Sequence, residues 1–178
     1  MEDLSLHILD IAENGIMAGA TLIEIHIVED RKKDLLKIII RDNGHGMDAD
    51  MVKAATDPFV TTRTTRPVGM GLPLLKQAAQ EAEGDLWIDS EPGKGTEVVA
   101  TFKESHIDRR PLGDMAATLT ALIMRDADLD IVYSANLRDQ EVEVDTRSIR
   151  EALDGTLPIQ DPAVIRLIRD LFRKREDG

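Results

Sequence analysis

Apolar residues at Leu4, Ile8, Ile11 and Ala12 recur at the spacing of one helix face. Asp3 stands where a cap belongs and Gly19 where a helix ends, so the pattern predicts a first helix from about Leu4 to Ala18. The period then changes to two. Ile23, Ile25 and Ile27 alternate with polar residues over Leu22 to Val28, and Leu35 to Arg41 is a second strand reached through the charged turn Glu29 to Asp34, which predicts a hairpin. Asp48 can cap a short helix to about Thr56, and Asp57 to Val68 reads as a loop rich in Thr, Arg and Pro. Pro73 sits where a first helical turn accepts proline, in a helix running to about Glu83 before Gly84. Strands over Asp85 to Ser90 and Glu97 to Lys103 flank Glu91-Pro92-Gly93-Lys94-Gly95 as a second hairpin.

This order of elements predicts an α+β fold. Helices cover one face of a sheet of four or more strands, a two-layer α/β sandwich, and the opposite face is partly wet or covered by the tail. From Pro111 the pattern restarts. A helix to about Arg125, strands near Leu129 to Ser134 and Glu141 to Val144, and helices near Ser148 to Leu153 and Pro162 to Lys174 make a small α/β extension. The expected division is residues 1–104 as one domain and 105–178 as an extension of unknown role.

Composition narrows the function classes. The 178 residues suffice for one solid core, and 42% hydrophobic with 31% charged residues is ordinary for a globular protein. No run approaches the roughly 18 apolar residues of a membrane span, and Met1-Glu2-Asp3 lacks the start of a signal peptide, so a cytoplasmic protein is expected. The chain has no cysteine, so chemistry must come from oxygen and nitrogen groups. A net charge of -12 argues against nucleic acid as a partner.

Four polar or glycine-rich boxes then stand out. Asp10 and Asn14 lie one turn apart on the first helix, with His7 a further turn back. A wet helix face is the plain alternative, but Ile8 and Ile11 place Asp10 near the core boundary. An Asn amide oxygen is a hard ligand suited to magnesium, and Asp10 could orient or deprotonate a water. Gly15 inside that helix costs about 1 kcal/mol against alanine, which implies a close approach by a second element or a ligand. Asp42-Asn43-Gly44-His45-Gly46-Met47 follows the second strand directly, delivering a carboxylate and bare backbone to a strand end. Asp42 could accept the exocyclic amine of adenine, and Gly44 and Gly46 could press backbone against a flat ring. Gly44 to Ala49 also fits a dinucleotide fingerprint, but the strand before it is the second of a hairpin and no acidic residue ends a parallel strand about 20 residues on. Gly69-Met70-Gly71-Leu72 precedes the helix at Pro73, where free amides favour anions, and Arg63 and Arg66 could add charge. Gly93-Lys94-Gly95-Thr96 is the fourth box. Met47, Met51 and Met70 lie near the site, with gap filling as the plain alternative.

Together these boxes resemble the ATP-binding domain of the GHKL superfamily, which includes DNA gyrase, the heat-shock chaperone of ninety kilodaltons, histidine kinases and mismatch-repair MutL. Leu9 to Ala20 resembles its asparagine box, Asp42 to Met47 its first glycine box, Asp57-Pro58-Phe59 its phenylalanine box, and Gly69 to Leu72 and Gly93 to Thr96 its other glycine boxes, over about the first hundred residues. The resemblance implies the Bergerat-type ATP-binding fold with ATP and Mg²⁺ as cofactors. It implies that Asn14 holds the metal, Asp42 reads adenine, Gly44 and Gly46 shape the base pocket, Gly69 and Gly71 wrap the triphosphate, and Thr96 supports the adenine network, with Met47, Met70 and Leu72 also in the nucleotide site. The stretch from Phe59 to Gly69, with Arg63 and Arg66, is most similar to the ATP lid of histidine kinases. Where gyrase and MutL carry a water-activating glutamate this chain has Asp10, one methylene shorter. A histidine kinase also carries a phosphoacceptor histidine on a helical hairpin before this domain, and here the asparagine box begins almost at Met1.

The expectation is therefore a stand-alone Mg-ATP-binding protein, a slow ATPase whose lid state regulates a protein partner through the residues after Ser105. Two alternatives stay open: a kinase acting on a separate chain, as anti-sigma-factor kinases and split sensor kinases do, and a non-catalytic nucleotide-binding module. The tail's helices and hairpin could dimerise, cover the open sheet face or dock a partner.

Overall fold

A computed structural model describes residues 3–57 and 71–176. Helix α1 spans Leu4–Met17 and β1 and β2 span Leu22–Asp30 and Leu35–Asp42. They are followed by α2 (Ala49–Ala55), α3 (Gly71–Glu81), β3 (Leu86–Glu91) and β4 (Gly95–Lys103). The later residues form α4 (Met115–Arg125), β5 (Asp130–Leu137), β6 (Gln140–Asp145), α5 (Thr146–Leu153) and α6 (Pro162–Glu176). Each predicted element is present, with ends displaced by a few residues.

One six-stranded sheet runs β3-β4-β2-β1-β5-β6. The β1–β2, β2–β4, β3–β4 and β5–β6 pairs are antiparallel, and β1–β5 is parallel. The register aligns Leu86, Ala100, Ile38, Ile27 and Ala135 across five strands, all buried. The next rung on that face carries Val98, Ile40, Ile25, Tyr133 and Val144, again buried. Period-two patterning thus supplies one continuous apolar face, against which Leu4, Ile8, Ile11 and Ala12 of α1 and Leu75, Ala78 and Ala79 of α3 complete the core. The opposite face is partly wet, with Trp87, Val99, Ile39, His26, Ser134 and Glu143 along one rung. His26 is half-buried there, its Nδ1 2.6 Å from Ser134 Oγ.

The residues after Ser105 extend the same sheet and the same helix layer. β5 lies beside β1, and Leu119, Leu122 and Ile123 of α4 join the core cluster. Asp3, expected to cap α1, makes no side-chain cap bond. The first amides of α1 instead donate to the tail, Leu4 N–H to Pro111 O at 3.0 Å and Ser5 N–H to Leu112 O at 2.7 Å. Asp48 does cap α2, accepting Met51 N–H at 2.9 Å.

Candidate functional site

Asp42 is the last residue of β2 and continues the inward alternation of Leu36, Ile38 and Ile40. Its side chain therefore faces the helix layer at the end of the sheet, on a rung with Ser90, Thr96, Ile23 and Ile131. α1 crosses that strand end so closely that a Cβ on Gly15 would meet Ile23 Cδ1 at 2.8 Å and Asp42 Cβ at 2.9 Å. The close approach expected at Gly15 is thus made by a second element, and it sets Asp42 against the helix that carries Asn14. Asp42 Oδ1 accepts Gly44 N–H at 2.9 Å, and the Thr96 amide is a second donor. Burial pushes the Asp42 carboxyl above the ordinary range, and the two amides and the nearby His45 oppose that shift.

The loop after β2 is wedged between α1 and the β3–β4 turn. A Cβ on Gly44 would lie 2.9 Å from both Cβ and O of Ala18, and His45 N–H donates to Ala18 O at 2.9 Å. Gly46 has φ +72°, and a Cβ there would lie 2.0 Å from Glu91 O. Gly93 N–H reaches back to His45 O at 2.7 Å. The atoms that a side chain at Gly44 or Gly46 would meet belong to Ala18 and Asp42 and to Glu91 and Gly95. Met47 packs half-buried against the core and donates its N–H to Ser90 Oγ at 2.8 Å.

Two polar hubs escaped the sequence reading. Asn43 Oδ1 accepts Thr21 N–H at 2.8 Å and Leu22 N–H at 3.0 Å, pinning the loop to the start of β1. Ser90 Oγ bonds Gly95 O at 2.9 Å and Thr96 Oγ1 at 2.8 Å besides receiving Met47 N–H. The inward parity of Leu86, Ile88 and Ser90 in a hairpin was the available signal for Ser90. Gly95 was read only as part of a box; its φ of +87° and a would-be Cβ 2.0 Å from Asp42 O show that β4 runs against the Asp42 backbone.

On α1, Asn14 is half-buried, and its Nδ2 is sealed from solvent without a hydrogen-bond partner. That amide points to a polar group that the described residues do not supply. Asp10 is exposed, not at the core boundary, whereas His7 is 1% exposed. A Cβ on Gly71 would meet Asp10 Cβ at 2.9 Å, so the first turn of α3, where helix amides lack intrahelical acceptors, abuts the Asp10 turn of α1. Leu72 is buried beneath it. Asp10, Asn14, Asp42, Gly44, Gly46, Met47, Gly71, Leu72 and Thr96 thus fall on a few neighbouring elements at one end of the sheet. Phe59, Arg63, Arg66, Gly69 and Met70 lie outside the described residues. Among the described residues no group of three or more His, Cys, Asp or Glu could hold a metal, and no helix is long and apolar enough to cross a membrane.

Residues 2–106 match the family described as histidine kinase-, DNA gyrase B- and HSP90-like ATPases. The chain belongs to that family. The match closes just after β4, and the ATPase family it defines binds ATP. Similar proteins include a putative NtrY-like sensor histidine kinase of Rickettsia prowazekii (strain Madrid E), 30% identical over 115 residues that cover 64% of this chain and 19% of the relative. Sporulation kinase E of Bacillus subtilis (strain 168) is 38% identical over 64 residues, 36% of this chain and 8% of the relative. The chain thus spans less than a fifth of either kinase. A solved structure described as the N-terminal domain of a DNA repair protein has the same fold with a TM-score of 0.53 at 16% identity, covering 81% of this chain and 52% of that one.

Proposed function

We propose that the chain binds Mg-ATP at the end of the sheet marked by Asp42 and Asn14 and turns it over slowly, with the nucleotide state read by a protein partner. The observation that carries this is the placement of the Asp42 carboxylate. It is inward-facing, half-buried and anchored, among the described residues, by two backbone amides, in a chain of the ATPase family. A carboxylate held that way has acceptor capacity to spare for an exocyclic amine, which adenine offers and guanine replaces by a carbonyl. Gly44 and Gly46 keep the loop after β2 close to the protein beside that carboxylate, and Ser90 and Thr96 brace it from below.

The Asn14 carbonyl oxygen is the group on α1 that would hold the magnesium ion, and the unmatched Nδ2 beside it would donate to an anionic oxygen; the metal would supply charge neutralisation to the phosphates. Its ligand count is then completed by phosphate and water, in keeping with a hard cation that retains part of its hydration shell. The amides of Gly71 and Leu72 in the first turn of α3 would favour the phosphates, and Asp10 beside them would orient or deprotonate a water. Arg63, Arg66, Gly69 and Met70 are the proposed lid and phosphate residues on sequence grounds.

Release of phosphate from gamma-labelled ATP, followed for the parent, Asp10→Asn and Asn14→Ala, tests turnover. Suppression by both substitutions, by about a hundredfold for loss of the base, is the expected result. Equal release by all three would leave Asp10 and Asn14 without a role. The names of the relatives favour a second reading, a kinase acting on a separate chain. It predicts no release but transfer of label to a co-purified protein.

A further inference from the structure

A cavity of about 580 Å³ lies away from the Asp42 end, between the start of α4, the β5–β6 pair and α6. This volume is within the range of small-molecule sites, roughly 300–1,000 Å³. Its floor is apolar, formed by Tyr133, Ala135 and Leu137 of β5, Val142 of β6 and Phe172 of α6. Tyr133 and Phe172 are stacked at a tilt, ring centroids 5.6 Å apart, so the floor is held by packing. Tyr133 is 2% exposed and lines the cavity, so its ring is a fixed part of the floor.

The rim carries charge. Arg169 and Arg173 sit four residues apart on α6, hence on one face, and both line the cavity. Among the described residues no hydrogen bond or ion pair reaches either of them. Like charges at that spacing repel, which favours an anion between them. Asp114 also lines the cavity, with its carboxylate already accepting Ala117 N–H at 2.9 Å. Among the described lining residues, two guanidinium groups against one carboxylate leave a single positive charge. A monoanion balances it, and the planar arginine fork fits a carboxylate by paired hydrogen bonds.

We infer that this cavity is a binding site for a small monocarboxylic acid with an apolar body, its head on Arg169 and Arg173 and its body on the β5–β6 floor. The assignment is independent of the ATP reading and shares no residue with it. The ligand would lie against Leu112 and Gly113, the strap that caps α1. Gly113 is seated so tightly that a Cβ would lie 2.4 Å from Ser5 Oγ.

Isothermal titration with decanoate, below its micellar concentration and without nucleotide, tests the site on the full chain. Decyltrimethylammonium serves as the charge-reversed control. Saturable decanoate binding is expected, with the cation at least tenfold weaker. The exposed double change Arg169→Gln with Arg173→Gln should weaken decanoate at least tenfold at unchanged far-UV circular dichroism. Ala116→Leu, which fills the cavity from α4, should weaken it as well. Absence of decanoate binding, equal binding of the cation, or indifference to the arginine change would overturn the assignment. So would capture of a peptide through its terminal carboxylate where decanoate fails.

Discussion

At the scale of single residues, position 42 shows how a fold sets chemistry. Alternation along β2 turns Asp42 toward the helices, and burial then raises its carboxyl above the ordinary range against the pull of the Gly44 and Thr96 amides. For an acid with a raised folded pKa, the folded state holds more protons than the unfolded one between the two values. Stability therefore falls as pH rises through that window, and the cost persists above it. Asp42→Asn removes the term. The urea midpoint of the parent should lose ground to that of Asp42→Asn as pH rises from below the ordinary carboxylate range through the raised value; the opposite slope would show that the amides outweigh burial. Glycines at neighbouring turns separate strain from collision. Gly19 has φ +81° with nothing within 4 Å of a built Cβ, so Gly19→Ala should cost about 1 kcal/mol. Gly46→Ala adds a collision with Glu91 O and should cost about 3 kcal/mol or more in the same denaturation series. The inward direction of Asp42 was legible from parity alone. The cause of glycine at position 46 was not, because the carbonyl it avoids belongs to a turn some 45 residues away that no local pattern places.

Among elements, α1 is the piece on which the site depends, and it is tied to α4 at both ends. Pro111 and Leu112 cap its first turn, Thr118 Oγ1 donates to Ser5 O at 3.3 Å, and Arg125 reaches Glu13, next to Asn14, at 2.9 Å. The Arg125–Glu13 pair is about as exposed as other surface pairs and should add well under 1 kcal/mol to stability. Apolar packing is the larger effect. Leu119 is 0% exposed, and Leu119→Ala should cost about 2–5 kcal/mol in urea denaturation. A cost below 1 kcal/mol would mean that α4 is not packed as described. The helices and strands of the tail were legible as elements. Their partners were not, because a periodic pattern reports which face is buried and says nothing of which strand lies alongside; the parallel pairing of β5 with β1 joins segments about a hundred residues apart.

For the whole molecule, the family match ends just after β4 but the sheet does not. β1 is an interior strand only because β5 pairs with it, and a chain ending near residue 106 would expose that edge together with the α1 surface that α4 covers. Residues 105–178 are accordingly proposed to unfold together with the first hundred. Trp87 in β3 and Tyr133 in β5 are the only residues of their kinds, one on each side of β1. Urea transitions followed at the two rings should coincide, and Leu119→Ala should move both by the same amount. Two separated transitions would make the tail an independent unit.

Nucleotide recognition by Asp42 is the property on which the proposed function depends. The most direct measurement is the equilibrium affinity of the parent and of Asp42→Asn for Mg-ATP and Mg-GTP, with far-UV circular dichroism as the check on folding. The account predicts that the parent prefers ATP, and that Asp42→Asn stays folded but loses ATP affinity by about a hundredfold, as expected when a charged hydrogen bond of about 3 kcal/mol is lost. Unchanged ATP affinity in a folded Asp42→Asn, or a parent that binds GTP equally well, would contradict it.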